Sequence, residues 1–164
     1  KTGSLTLEEM AEHDAVIDVK LAALGNPNIP TRVIHRMAAG TGKRVRETIA
    51  GNISTPKTIL MKSARDRDTN VAYNVACNPN VPREALTILA ERRNIGILVA
   101  VVRNKNTPEE ALAKLARNNN RNLRLLIAEH ENTSRETLEF LLLKAVKEAD
   151  QKLAETVRLA LAKQ

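Results

Sequence analysis

Arginine and lysine side chains cluster in short polar stretches that recur along this sequence. Their guanidinium and ammonium groups suit one kind of chemistry, the binding of phosphate oxygens through charge-assisted hydrogen bonds. Because equivalent positions of a repeated unit stack above one another, these residues would form a basic ridge along one edge of the molecule. The basic-ridge residues are Lys43, Arg44, Arg46, Arg65, Arg67, Arg92, Arg93, Arg117, Arg121 and Arg124.

The charge balance of the chain favours a polyanionic partner. The sequence has 26 Lys and Arg against 19 Asp and Glu, a formal net charge of +7. We therefore predict a polyanion-binding edge, with nucleic acid as the leading candidate. The alternative is a set of solvated turns that use arginine for solubility. Tyr73 and Phe140 are the only aromatic residues, so we expect phosphate contacts without base stacking and with little sequence readout. The acids near the ridge are few: Asp66, Asp68, Glu91, Glu148 and Asp150.

Residues that could catalyse a reaction or hold a metal are scattered. His13, His35 and His130 fall at unrelated positions and have no carboxylate or cysteine partner at metal-ligand spacing. Cys77 has no histidine placed to activate it as a nucleophile. The stretch Gly40-Thr-Gly-Lys43 lacks the leading glycine and the final Ser or Thr of a phosphate-binding loop, and it follows a helix. We predict no catalytic residue, no metal, no cofactor and no small-molecule substrate.

The elements that position the basic ridge belong to a repeat of 26 residues. In each repeat a proline opens a helix A of about ten residues, a polar turn follows, and a short segment B ends at an asparagine. Neither segment is long enough to be stable alone, so each must pack on the next repeat. The spacing predicts an all-α solenoid of short helix pairs. The turn motif reads Asn26-Pro-Asn-Ile-Pro30, Asn52-Ile-Ser-Thr-Pro56, Asn78-Pro-Asn-Val-Pro82, Asn104-Lys-Asn-Thr-Pro108 and, decayed, His130-Glu-Asn-Thr-Ser134.

Local signals indicate where these segments begin and end. Each proline is expected at the first helical position of A, with the hydroxyls of Thr107 and Thr133 as N-caps in capping boxes. The asparagine after B is expected to end it in a left-handed conformation. Segment B is helical in spacing and is expected to be α-helical or partly 3₁₀. Residues 97–102 alone are compatible with a strand, but their register with the other copies favours a helix.

Parts of this repeat resemble the bacterial leucine-rich repeat variant family. The matching pieces are Asn78-Pro-Asn-Val-Pro82, Leu86-x-x-Leu89-Ala90 and Val45-Arg46 through Ala50, and the similarity covers about residues 19–136. The resemblance implies a right-handed solenoid in which α-helices alternate with 3₁₀ segments. Some members carry an amino-terminal cysteine cluster for an iron–sulfur centre, which is missing here because Cys77 is the single cysteine. The family has no shared activity, and we interpret the chain as a non-catalytic binding scaffold.

The whole chain, 1–164, is interpreted as one repeat domain. Residues 1–29 would form an amino-terminal cap repeat that opens with the capping box Thr6-Leu-Glu-Glu9. Residues 30–133 would form four repeats, and 134–164 one capping helix or two helices with a break near Asp150. No signal peptide or membrane span is recognisable, and the single cysteine suits a reducing compartment, so we expect a cytoplasmic protein without a membrane partner.

A second surface competes with the basic ridge as a binding site. The outward positions of segment B are polar in the early repeats and become apolar in the later ones. An adjoining apolar patch of this kind often marks a protein interface. The alternative function is therefore a protein-interaction module that uses its curved face or this patch, unless the carboxy-terminal helix or a second copy covers the patch. The patch residues are Leu98, Val99, Leu125 and Leu126.

Overall fold

The computed structural model describes residues 6–12, 16–39 and 42–164. Within these ranges the chain forms twelve α-helices and no β-strand. The helices belong to two compact units, residues 1–85 and residues 86–164. None of the described helices is both long enough and apolar enough to cross a bilayer.

Short helices follow one another through both compact units. The first unit contains α1 (Leu7–Glu12), α2 (Ile17–Gly25), α3 (Thr31–Met37), α4 (Lys43–Gly51), α5 (Lys57–Ser63) and α6 (Thr69–Cys77). The chain passes through α7 (Arg83–Leu89) into the second unit, which contains α8 (Ile95–Arg103), α9 (Glu109–Leu115), α10 (Arg121–Glu129), α11 (Arg135–Lys147) and α12 (Gln151–Leu161). Segment A of the sequence corresponds to α3, α5, α7 and α9, and segment B to α2, α4, α6, α8 and α10.

Both segments are α-helical, and their lengths differ from the expectation. The A helices have seven residues and not ten, whereas the B helices have nine. The expected alternation of α-helix and 3₁₀ helix is therefore wrong for the described residues. The starts of α6, α8 and α10 are capped by the side chains of Asp68, Asn94 and Asn120, which accept hydrogen bonds from backbone N–H groups two or three residues later. Residues 97–102 lie inside α8.

The A helices begin one residue later than predicted, and the capping boxes at Thr107 and Thr133 are wrong. Pro108 is the N-cap of α9 and not its first helical residue. The buried hydroxyl of Thr107 donates instead to the carbonyl oxygen of Val101 in α8. Thr133 donates in the same way to the carbonyl oxygen of Ile127 in α10. These threonines thus tie the end of a B helix to the start of the next helix.

Asparagine side chains connect successive repeats of the first compact unit. The Nδ2 group of Asn52 donates to the carbonyl oxygen of Asn26 at 3.0 Å. The Nδ2 group of Asn78 donates to the carbonyl oxygens of Ala50 and Asn52, both at 2.9 Å, and its Oδ1 accepts the N–H of Asn80. Asn78 is only 1% exposed. Its side chain therefore satisfies two buried main-chain carbonyl groups and one partly buried N–H group.

The left-handed conformation predicted for these asparagines is wrong. Their φ angles lie between −81° and −70° with ψ above 120°, which is extended backbone. The chain turns because each side-chain oxygen accepts the N–H of the residue two positions later, an arrangement that asparagine favours. The bonded pairs are Asn26 with Asn28, Asn52 with Ser54, Asn78 with Asn80 and Asn104 with Asn106.

His130 replaces an asparagine in the second compact unit and makes equivalent bonds. Its Nδ1 accepts the N–H of Asn132 at 3.0 Å, and its Nε2 lies 3.1 Å from the carbonyl oxygen of Asn104. These two partners assign the ring proton to Nε2. The interpretation of this position as a decayed cap is therefore wrong, because the imidazole supplies one acceptor and one donor as an amide would.

Aliphatic side chains and alanines form the core of each compact unit. In the first, α4 packs against α2 and α6, and Val45 and Ile49 on α4 are buried. In the second, α10 packs against α8 and α12. The alanines at the ends of the A helices permit this close packing, since Ala64, Ala90 and Ala116 are buried.

The capping box at Thr6 is confirmed, because Thr6 and Glu9 exchange hydrogen bonds at the start of α1.

The carboxy-terminal segment contains two helices with a break at Ala149. This residue has a φ of 55°, in the left-handed region. Asp150 then starts α12, because its carboxylate accepts the N–H of Leu153 at 3.0 Å. The break therefore falls where the alternative with two helices placed it.

Replacing Ala149 by glycine should raise the free energy of unfolding by about 1 kcal/mol. Glycine adopts a positive φ without the steric cost of a β-carbon, and the methyl group lost is exposed. Urea unfolding measures the change. The control is Ala113→Gly inside α9, which should lower the free energy by about 1 kcal/mol. An equal loss in both variants would contradict the assignment of strain to Ala149.

Candidate nucleic-acid interface

The basic-ridge residues divide into a helical class and a turn class. Because the B helices start early, the helical class consists of Lys43, Arg44 and Arg46 in α4 and Arg121 and Arg124 in α10. The turn class lies between A and B helices and consists of Arg65, Arg67, Arg92, Arg93 and Arg117. The two classes differ in what their charged groups contact.

In the first compact unit the helical class is paired with acids that lie 20 to 26 positions away in the sequence. The acids come from α2 or from the segment between α5 and α6. Such pairs hold neighbouring helices together and leave less of the cationic charge for a ligand. The pairs are Arg46 Nε with Asp66 at 2.7 Å, Lys43 Nζ with Asp68 at 3.1 Å, and Arg44 Nη2 with Asp18 at 2.8 Å.

In the second compact unit the arginines of the helical class contact acidic residues at the break between α11 and α12. Arg121 contacts both carboxylate oxygens of Asp150, at 2.6 and 2.8 Å. Arg124 donates to Glu148 and to the carbonyl oxygen of Asn118. Arg124 is 3% exposed, so its assignment as a phosphate-binding residue is wrong. Arg124 lies on the buried face of α10 beside Leu123, and its guanidinium donates a hydrogen bond to the carboxylate of Glu148.

Pairing also fixes the protonation state of the acids. The hydrogen bonds from Arg121 lower the pKa of Asp150 below its usual value. Burial alone would raise the pKa of Asp66, but hydrogen bonds from Arg46 and from the N–H of Asp68 outweigh burial and lower it. Both acids are therefore ionised at neutral pH, and each offsets one arginine of the basic ridge.

Four members of the turn class are not paired with any acid of the described residues. Arg65, Arg67, Arg93 and Arg117 are exposed, and none of them has an acidic partner among the described residues. Arg92 differs, because it is half-buried and makes an interaction of its own. The first compact unit presents two of the four exposed arginines and the second presents the other two. We call these four the unpaired arginines.

A cleft in the first compact unit brings several cationic groups together. It has a volume of about 680 Å³ and lies among α3, α4, α5 and the segment that follows α5. Sequence reasoning missed two of its basic residues, His35 and Lys62. Lys62 could have been found from the repeat, because it occupies the same repeat position as Lys114 two repeats later. The basic side chains in the wall are His35, Arg46, Lys62, Arg65 and Arg67.

The apolar patch predicted on the B helices is not a continuous exposed surface. Leu98 is 3% exposed and belongs to the core, because α8 packs against α10. Its assignment as an interface residue is therefore wrong. Val99, Leu125 and Leu126 are half-buried. The large apolar side chains that are well exposed in this unit include Leu143, Val146 and Leu159 on α11 and α12.

The other residues considered for chemistry add no further site. Cys77 is exposed at the end of α6. His13, Gly40 and Thr41 lie outside the described residues. In the part of the chain that the structure describes, no group of histidine, cysteine, aspartate and glutamate residues is placed to hold a metal ion.

Comparisons of this chain with protein-family models, with curated proteins and with solved structures find no match.

Proposed function

We propose that this chain is a non-catalytic binding scaffold, a right-handed solenoid of 26-residue repeats of the leucine-rich repeat variant type. The recurring helix starts support this proposal, since each A helix begins directly after the proline of the turn motif. The side chains of Asn52 and Asn78 support it too, because each bonds to carbonyl groups about 26 positions earlier. The A helices begin at Thr31, Lys57, Arg83 and Glu109.

The scaffold binds nucleic acid through phosphate contacts from the turns between A and B helices. The observation that carries this proposal is that the unpaired arginines are exposed and have no acidic partner in the part of the chain that the structure describes, while the helical class is paired. An arginine already bonded to a carboxylate loses that bond when it binds a phosphate, whereas an unpaired arginine loses only water. The near absence of aromatic residues favours backbone contact over base recognition.

Charge reversal of the four unpaired arginines tests this function. The variant Arg65→Glu, Arg67→Glu, Arg93→Glu and Arg117→Glu should bind duplex DNA or RNA at least about 100-fold more weakly at low salt. Fluorescence anisotropy with a labelled duplex measures the affinity. Circular dichroism should show unchanged helix content, because all four side chains are exposed.

The matched control reverses four exposed basic residues outside these turns. Lys57→Glu, Lys105→Glu, Arg158→Glu and Lys163→Glu give the same net charge, so any effect of total charge is common to both variants. The control should keep most of the affinity of the parent chain. Equal losses of affinity in the two variants would show that binding depends on the net positive charge and not on the four unpaired arginines. Unchanged binding in the first variant would refute it.

A protein-docking function is the second candidate. It is favoured by the exposed apolar residues of α11 and α12, among which Leu143 is 74% and Val146 is 63% exposed. The substitution Leu143→Asp tests it, because an exposed position tolerates the charge without loss of stability. A protein ligand that binds the parent chain, fails to bind this variant and still binds the charge-reversed variant would replace nucleic acid as the partner.

A further inference from the structure

The cleft of the first compact unit exists because one repeat has small residues where others have charged ones. In the second compact unit, Lys114 at the end of α9 binds Glu91, 23 positions earlier, at 2.9 Å. The residue in the same relation to Lys62 is Ala39. Alanine offers no carboxylate and little volume, and Ala39 indeed lines the cleft. Lys62 is exposed and, unlike Lys114, has no acidic partner among the described residues.

The acid in the wall of the cleft does not neutralise the remaining cations. Asp66 accepts a hydrogen bond from Arg46 Nε at 2.7 Å and another from the N–H of Asp68 at 2.9 Å. Its charge is thus committed to Arg46. The cations left over in the wall are Lys62, Arg65 and Arg67, and the hydroxyls of Thr58 and Ser63 add neutral donors.

The segment that carries the two arginines is fixed before any ligand binds. The N–H of Arg65 donates to the carbonyl oxygen of Lys62 at 3.1 Å, and the N–H of Asp66 donates to that of Ser63 at 3.0 Å. The bond from the N–H of Asp68 to the Asp66 carboxylate closes the segment on its other side. A site whose backbone is already ordered loses less conformational entropy on binding.

We propose that this cleft binds the terminal phosphate of a nucleic-acid strand together with the nucleotide that carries it. The inference rests on the proposed function and adds a second mode of contact to it. A phosphodiester inside a strand carries one negative charge, whereas a terminal phosphomonoester carries about 1.5 to 2 at neutral pH. Three cations that line one cleft match the terminal group better than an internal one.

The shape of the cleft supports a strand end over a continuous backbone. A volume of about 680 Å³ is within the range of pockets that enclose a small molecule. Ile49, Ile59 and Ala38 supply apolar wall for the sugar and base. No Phe, Tyr or Trp is among the described residues that line the cleft, so the base is held without stacking on such a ring. The third repeat lacks this combination, since Ile88 and Glu91 stand where Lys62 and Arg65 do. In the fourth repeat the equivalent lysine, Lys114, is paired with Glu91.

The test compares one short single strand with a 5′-phosphate, with a 3′-phosphate and with hydroxyl groups at both ends. The parent chain should bind at least one phosphorylated strand about tenfold more tightly than the hydroxyl strand. The variant Lys62→Ala with Arg65→Ala should bind all three strands equally. The control Arg93→Ala with Arg117→Ala should weaken binding to every strand and keep the preference. Anisotropy measures the affinities, and circular dichroism checks the fold of each variant.

The outcomes separate this inference from the proposed function. Equal binding of the three strands by the parent chain, with salt-dependent affinity retained, would overturn the cleft assignment alone. Absence of binding to any strand or duplex would overturn both. A free nucleoside monophosphate should compete only at concentrations far above those of the strand. Competition at the concentration of the strand would show that the ligand is a free nucleotide and would overturn the strand-end assignment.

Discussion

Replacing Asn78 by aspartate should lower the free energy of unfolding by about 3 kcal/mol at neutral pH, the largest effect we expect from one isosteric change. The Nδ2 group of Asn78 donates to the carbonyl oxygens of Ala50 and Asn52, both at 2.9 Å, in a position that is 1% exposed. A carboxylate has no proton to donate, so its oxygen would face two carbonyl oxygens without water to screen them. Urea unfolding at neutral pH measures the loss.

Acidification and a second position provide the controls for this prediction. The deficit of Asn78→Asp should narrow in acid, because a protonated carboxyl regains one donor. His130→Asn should change the free energy of unfolding by less than about 0.5 kcal/mol, since asparagine can make the two bonds of the imidazole. A loss below about 1 kcal/mol for Asn78→Asp would show that these bonds do not hold the repeats together.

Truncation of Arg124 to alanine should lower the free energy of unfolding by about 3 kcal/mol, whereas Arg124→Met should stay within about 1 kcal/mol of the parent chain. The guanidinium of Arg124 is buried, and its Nε has no hydrogen-bond partner. Alanine leaves a cavity and unbonded groups, but methionine fills most of the volume and removes the unsatisfied nitrogen. Glu148 is not isolated by either change, because it is partly exposed and lies 3.6 Å from Lys144.

Arg117 is the exposed counterpart of Arg124, and substitutions at the two positions should have opposite effects on stability and on nucleic-acid binding. Arg117→Ala should change the stability by less than about 0.5 kcal/mol, because the side chain is exposed. It should weaken nucleic-acid binding, whereas Arg124→Met should not. Thermal or urea unfolding and anisotropy on the same samples give both quantities. Loss of binding in Arg124→Met at unchanged stability would contradict the structural role assigned to Arg124.

The all-helical fold was predictable from the sequence because the repeat supplies several copies of each signal. Residues 97–102 alone are compatible with a strand, but the copies with polar outward residues exclude that interpretation. Helix ends were predicted less well. The bond from Thr107 to Val101 depends on where the chain folds back, and a local capping pattern does not contain that information. The early start of α8 follows from its N-cap Asn94, a local signal that the predicted helix ends did not include.

The candidate site was predictable in composition and not in its pairing. The residue types of the basic ridge indicated cations near the turns, but the sequence does not say which acid a given arginine reaches. Asp18 lies 26 positions from Arg44, and Asp150 lies 29 positions from Arg121. Such pairs depend on the packing of successive helices. The cleft was not predicted because it depends on the lack of a charged side chain at Ala39, and no sequence motif marks such a position.

The salt dependence of duplex binding tests the central claim most directly. If the four unpaired arginines contact phosphates, the logarithm of the association constant should fall with the logarithm of salt concentration with a slope of about −3 to −4. The variant with all four arginines reversed should lose most of that slope, and the matched control should keep it. A parent chain whose affinity does not change with salt, or a reversed variant with the parent slope, would contradict the proposed function.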